Sequence, residues 1–250
     1  GSISGQLNSL TREQMLKYTA QNPYDRFPDG RPKVPDALME KLKSMSAEEV
    51  MGIARRGYPN QFADGFQMLN PGKEAMVGRA MTVQLMPLRP DIADIDQKEW
   101  AQKNPQAAGV GLRLNHQTAL DMLQQGDVFV VDAFGNLDAG GIVGDNLAYY
   151  VWKKTGVGFV IDGAIRDLQG IANFGMKGYF RGAVPPAINN LMVTGINVPV
   201  RIGKATVMPG DVVFGDREGV YFIPPHLVQE IVDIAEITHI HDDWTKMKFD

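Results

Sequence analysis

The 250-residue sequence contains no cysteine. That excludes disulfides, thiolate zinc sites, iron–sulfur clusters and a cysteine nucleophile together. Histidine is scarce as well. His116, His226, His239 and His241 are the four present, and no two have the spacing of a zinc-protease helix. A bound metal would therefore be a hard ion held by oxygen ligands. No apolar run has the length of a membrane span. Basic residues number 25 against 29 acidic, a net charge of −4, and no basic cluster stands out. No field draws the chain to nucleic acid or anionic lipid, so neither nucleic acid nor membrane is an expected partner. Gly72-Lys73 lacks the rest of a phosphate loop, and no dinucleotide fingerprint follows a strand. Gly1-Ser2 without an initiator methionine reads as a remnant of expression. The cytoplasm is the expected compartment, and an exported form with its signal removed is left open.

What is present reads as a mixed α/β chain, 44% apolar and 22% charged, long enough to bury a sizeable core. Thr11 and Gln14 have the spacing of a capping box opening a short helix. The segment 22–32 holds three prolines and reads as an ordered arm that could wrap a neighbouring subunit. Helices are expected over 35–43 and 46–56, the second capped by Ser46 with Glu49. A strand over 77–85 is followed by a polar, irregular insertion over 91–111. A helix over 116–124, a strand over 128–132, a helix over 145–154 and a strand over 158–161 come next, with Asp162-Gly163 turning the chain. Lys153, Lys154 and Gly156 suit the C-terminus of the helix before that last strand. Strands over 198–202, 211–215 and 219–223 precede an amphipathic helix over 227–237. The chain divides into an N-terminal arm with helices, 1–74, and a main domain, 75–250.

The informative window is Gly140-Gly141-Ile142-Val143-Gly144-Asp145-Asn146-Leu147, continued by Asp162-Gly163-Ala164-Ile165-Arg166-Asp167. The glycines allow the backbone to approach a ligand closely. The helix after Gly144 offers free amides, at Asn146 and Leu147 for example, that favour a carboxylate. Arg166 presents a planar fork matched to a carboxylate, and Asp167 a hard oxygen ligand. Each residue also has a plainer reading, since Asp145 could be only a helix cap and Arg166 and Asp167 a solvated loop pair.

Gly144-Asp145 followed after twenty residues by Arg166-Asp167 resembles the signature of the RraA-like, class II 4-hydroxy-4-methyl-2-oxoglutarate aldolase family. Gln125-Gly126-Asp127, Met208-Pro209-Gly210-Asp211 and Asp216-Arg217-Glu218-Gly219 extend the likeness along residues 75–237. The resemblance implies a layered α/β/β, swivelling-domain-like fold with an added N-terminal helical arm, assembled as a homotrimer or a hexamer. It implies that Asp167 ligates Mg2+ or Mn2+, with Asp145 reaching the metal through water. Arg166 would bind a small 2-oxo acid and act with Asp145 in catalysis, while Gly144, Asn146 and Leu147 receive its carboxylate. The reaction implied is retro-aldol cleavage, or decarboxylation of oxaloacetate, through a metal-stabilised pyruvate enolate. A carboxylate from a neighbouring subunit's C-terminal region would also approach the metal, with Glu236 or Asp242 as the candidates here. Two alternatives stand beside the lyase: a non-catalytic regulator of the RraA kind acting by protein contact, and a related metal-dependent enzyme on a sugar-derived acid.

Overall fold

Val128-Phe129-Val130-Val131 and Phe159-Val160-Ile161 are apolar at every position, the pattern of strands covered on both faces. A computed structural model describes residues 9–249 and places both segments at the centre of a nine-stranded mixed sheet. In chain order the elements are α1 (Arg12–Tyr18), α2 (Asp36–Leu42), α3 (Ala47–Val50), β1 (Phe62–Ala63), β2 (Gln67–Leu69), β3 (Met76–Pro87), α4 (Pro90–Lys103) and α5 (Pro105–Gly109). They continue with β4 (Asp127–Asn136), α6 (Asp145–Thr155), β5 (Gly158–Ile165), α7 (Leu168–Ala172), β6 (Lys177–Ala183) and β7 (Leu191–Ile196). The chain ends with β8 (Val200–Ile202), β9 (Ala205–Val207), β10 (Val212–Gly215), β11 (Val220–Ile223) and α8 (Val228–Phe249). Gly1 and Ser2, read above as a remnant, lie outside the described residues.

Strands β3, β4, β5 and β6 run parallel, and β10, β11 and β7 add antiparallel pairings. Alternation along β4 divides the core. Phe129, Val131 and Ala133 face one hydrophobic cluster with α6 and α7, whereas Val128 and Val130 face another with the β8–β9 ribbon. The layers are thus helix, sheet and ribbon, the α/β/β arrangement expected. A third cluster joins α2, α3 and the first turns of α8 to β10 and β3.

Local capping survives intact. Both capping boxes, Thr11 with Gln14 and Ser46 with Glu49, are formed. Gly156 ends α6 in the left-handed region at φ +70°. In the loop before β11 the Asp216 carboxylate accepts the Glu218 amide, and it also accepts the Ala47 amide, both at 2.8 Å.

Several expectations are corrected. The segment 91–111 is not irregular: Pro90 opens α4 and Pro105 opens α5, each at a first-turn position where the missing amide costs nothing. Neither helix buries a residue, so neither carries the apolar stripe by which a helix is recognised. Asp162-Gly163 does not turn the chain. Both lie inside β5, where Arg181 Nε donates to Asp162 Oδ1 at 2.6 Å and neutralises the buried carboxylate. The segment 116–124 is a 3-10 turn, His116–Met122, and 46–56 splits into α3 and a 3-10 turn, Met51–Arg56. Helix α8 continues well past residue 237. None of the described helices is long and apolar enough to cross a membrane.

The proline-rich arm packs on its own chain. Arg31, 1% exposed, forms a two-pronged bond to fully buried Asp127, with Nη1–Oδ1 and Nη2–Oδ2 both 2.9 Å. Burial pushes the Asp127 carboxyl up and the Arg31 guanidinium opposes that shift. Arg79, also buried, holds the Val34 carbonyl and Asp36. Removing one member of a buried pair strands the other charge, so Arg31→Met should cost about 3–5 kcal/mol in urea denaturation. Arg31→Met with Asp127→Asn should recover much of that loss, because no charge is left unpaired.

Candidate active site

The site lies beyond the C-terminal edge of the parallel strands, where open α/β sheets bind ligands. Strand β5 ends at Ile165, and the 141–143 segment clings to that end. The Ile142 amide donates to the Ala164 carbonyl at 2.8 Å, and the Arg166 amide to the Val143 carbonyl at 2.9 Å. This approach requires glycine. A Cβ on Gly141 would sit 2.7 Å from the Arg166 nitrogen, and one on Gly144 would sit 2.6 Å from Asp167 Oδ2 and 3.0 Å from Arg166 Nε.

Gly144 is the N-cap of α6, and Asp145 is its first residue. Asp167 is the N-cap of α7 and takes the left-handed conformation at φ +57°, which aspartate tolerates better than most residues. That kink turns consecutive side chains into one space: Arg166 Nη1 lies 3.5 Å from Asp167 Oδ2, both side chains a little over one-third exposed. Asp145 packs on the first turn of α7, for a Cβ on Gly170 would lie 3.3 Å from its own Cβ. Aromatic packing fixes the two helices together, Phe174 lying between Tyr149 and Trp152. Gly144, Asp145, Arg166 and Asp167, drawn from two elements, are thus brought together. Of the two amides expected to receive a carboxylate, that of Asn146 donates to Asp145 Oδ1 at 2.7 Å, leaving Leu147 as the open donor of that turn.

Beside this group is a cavity of about 250 Å³ lined by Gly141, Gly144, Asn146, Leu147, Arg166 and, from elsewhere, His116. Asp145 and Asp167 stand at its edge rather than in its wall. Among the described residues no three acids or histidines gather as a metal cluster. Two carboxylates fit a magnesium-type ion, which keeps several waters and uses only one or two protein carboxylates. Of the C-terminal candidates, Glu236 pairs with Lys41 at 2.9 Å within its own chain, and Asp242 lines a separate cleft with Glu49 and His239.

Residues 36–222 match the family model described as RraA-like, Aldolase/RraA. The chain belongs to the RraA-like family. A 4-hydroxy-4-methyl-2-oxoglutarate aldolase of Thermus thermophilus is 28% identical over 99 residues, covering 40% of this chain and 60% of that protein. A Halalkalibacterium halodurans protein to which the same activity is provisionally assigned is 34% identical over 119 residues, 47% of this chain and 56% of that protein. The chain therefore spans under two thirds of these curated relatives. Among solved structures, Streptomyces coelicolor RraAS2, described as an unusual member of the RNase ES inhibitor RraA family, superposes with a TM-score of 0.72. It is 27% identical, and the match covers 86% of this chain and all of that one.

The sequence reading of this RraA-like site missed His116. It opens the 3-10 turn after Asn115, is 4% exposed, and has its pKa lowered by burial to about 4. No local pattern marks it, since its surroundings come from distant loops. A histidine whose folded pKa is depressed binds fewer protons folded than unfolded between about pH 4 and 6.5. Its stability contribution is thus complete above pH 6.5 and declines as pH falls toward 4, by at most about 1.4 kcal/mol per pH unit. Urea melts of wild type and His116→Gln at pH 7, 6 and 5 should show the variant losing less stability on acidification.

Proposed function

We propose that this RraA-like chain is a divalent-metal-dependent lyase that cleaves a carbon–carbon bond of a small 2-oxo acid and releases pyruvate. The observation that carries the reading is the convergence of Asp145, Arg166 and Asp167 on glycine-lined backbone beside a cavity sized for a small acid. The aldolase names of its relatives support the same chemistry. Asp167 and, through water, Asp145 would hold Mg2+ or Mn2+, which when bound supplies Lewis-acid polarisation of the 2-oxo group.

The chain's own residues do the rest. Arg166 offers a fixed cation to the carboxylate and to the oxygen on which negative charge develops as the bond breaks. The open amide of Leu147, at the positive end of α6, orients the carboxylate so that the breaking bond is held in one geometry. The half-buried position of the pair strengthens these contacts relative to bulk water. In retro-aldol cleavage the hydroxyl-bearing carbon gives its O–H proton to water and becomes a carbonyl as the carbon–carbon bond breaks. The electron pair of that bond moves onto the pyruvyl fragment as its enolate, and a proton then returns to carbon. Asp145, close to the first turn of α7, is placed to hold the water that carries that proton. A trimer or hexamer would let a neighbour's carboxylate complete the ion's surroundings, consistent with only two from this chain. The second reading, a regulator acting by protein contact, draws on the RraAS2 likeness alone.

Pyruvate followed through lactate dehydrogenase, with 4-hydroxy-4-methyl-2-oxoglutarate or oxaloacetate and magnesium, decides between them. Release should occur with magnesium, stop with chelator, and fall at least roughly a hundredfold in Asp167→Ala. Gly144→Ala should lower release by tenfold or more, on the order of the cost of misplacing a catalytic group, while melting within a few degrees of wild type. No pyruvate from either substrate, in protein shown to bind magnesium, would set the lyase reading aside.

A further inference from the structure

Helix α8 is buried only along its first turns. Val228, Ile231, Val232 and Ala235 pack into the cluster with α2 and α3, and none of the described residues after Ala235 is buried. Beyond that point His239, Asp242 and Lys246 line the cleft beside α3, where His239 pairs with Glu49. At about 100° per residue, Ile237, Ile240, Trp244 and Met247 fall within roughly 80° of the helix surface, about 150° away from that cleft-facing row. They are 69%, 72%, 53% and 75% exposed. Scattered singly, such residues would mean little, but four in one row make an apolar face that is worth covering.

Spacing and charge say what covers it. Steps of three, four and three residues put Ile237 and Trp244 at the a positions, and Ile240 and Met247 at the d positions, of two successive heptads. That is the seam along which helices pair side by side. Its flanks carry opposite signs, with Glu236 and Asp243 at the g positions and His241 and Lys248 at the e positions. In an antiparallel pair g would face g, acid against acid. In a parallel pair each g faces the e five residues further along the other helix, so Asp243 meets Lys248 of a second copy. Lys248 Nζ lies 3.8 Å from the centre of the Trp244 ring, already at the edge of the seam. Glu236 is shared with Lys41 of its own chain, which leaves Asp243 and Lys248 to set the direction. We propose that the tail of α8 is a self-association surface on which the same stretch of a second copy of this chain packs in parallel. The pairing is independent of the lyase reading and needs no substrate.

The absence of cysteine makes the test direct, because a single introduced thiol reports only its own surroundings. In a parallel pair equal positions of the seam meet. Ile240→Cys, oxidised with copper phenanthroline, should therefore run mostly at the mass of two chains on a non-reducing gel. Asp242→Cys, on the cleft-facing side, should stay mostly single. Ile240→Asp combined with Trp244→Asp should weaken self-association at least roughly tenfold in sedimentation equilibrium, the cost of placing charge in the seam. Because two buried acids could also fray the helix, Asp243→Lys reads the pairing by itself. It should weaken association about two- to fivefold, and adding Lys248→Asp should restore it. Equal crosslinking at 240 and 242, or association unchanged by both sets of variants, would overturn the proposal. So would crosslinking of Ile237→Cys to Met247→Cys in a mixed sample with Ile240→Cys left single, the mark of an antiparallel pair. A wild-type chain that sediments as a single copy at every concentration would do the same.

Discussion

Backbone packed against backbone at the end of β5 is the constraint on which the site depends. The 141–144 segment lies so close to Arg166 and Asp167 that any side chain at Gly141 or Gly144 would occupy the same space as the motif itself. Because the approach is made by hydrogen-bonded main chain, the side chains that emerge from it inherit its rigidity. Asp167 adds a left-handed residue at the same point, so the cation and the anion of the pair turn into one volume although they are neighbours in sequence.

The two ends of the parallel sheet divide the work. At the N-terminal edge of β3 and β4, buried Arg31, Arg79 and Asp127 tie the arm to the body through paired charges and the Val34 carbonyl. The Arg31 and Asp127 side chains are both closed off from solvent there. At the C-terminal edge the acids are half-exposed, the glycines leave room, and a polar atom of His116 is buried without a partner. One edge spends its charges on each other, and the other keeps them available.

The sequence made the charged part of the site legible because the information is local. Gly144, Asp145, Arg166 and Asp167 sit beside the turns that expose them, and the boxes at Thr11 and Ser46 are complete within four residues. What escaped depends on distant partners or on burial that is absent. Helix α4 buries nothing and so leaves no periodic trace. Asp162-Gly163 carries turn chemistry, which Arg181 from the neighbouring strand overrides. Strand β6 is interrupted by Gly178 and Gly182, yet those glycines serve the sheet, because Phe159 and Leu137 occupy the room their side chains would need. His116 owes its burial beside the cavity to residues of other loops, Ala187 and Ile188 among them, and no spacing within the sequence encodes that.

The crossover through α6 and β5 works as a ruler. From Asp145 the chain travels away from the site for the eleven residues of the helix and returns along the eight residues of the strand to deliver Arg166. One residue removed from the helix would rotate everything after it by roughly 100°. One removed from the strand would exchange its two faces. The interval separating the motif's halves is therefore a length measured in secondary structure, open to substitution along much of its course but closed to insertion and deletion.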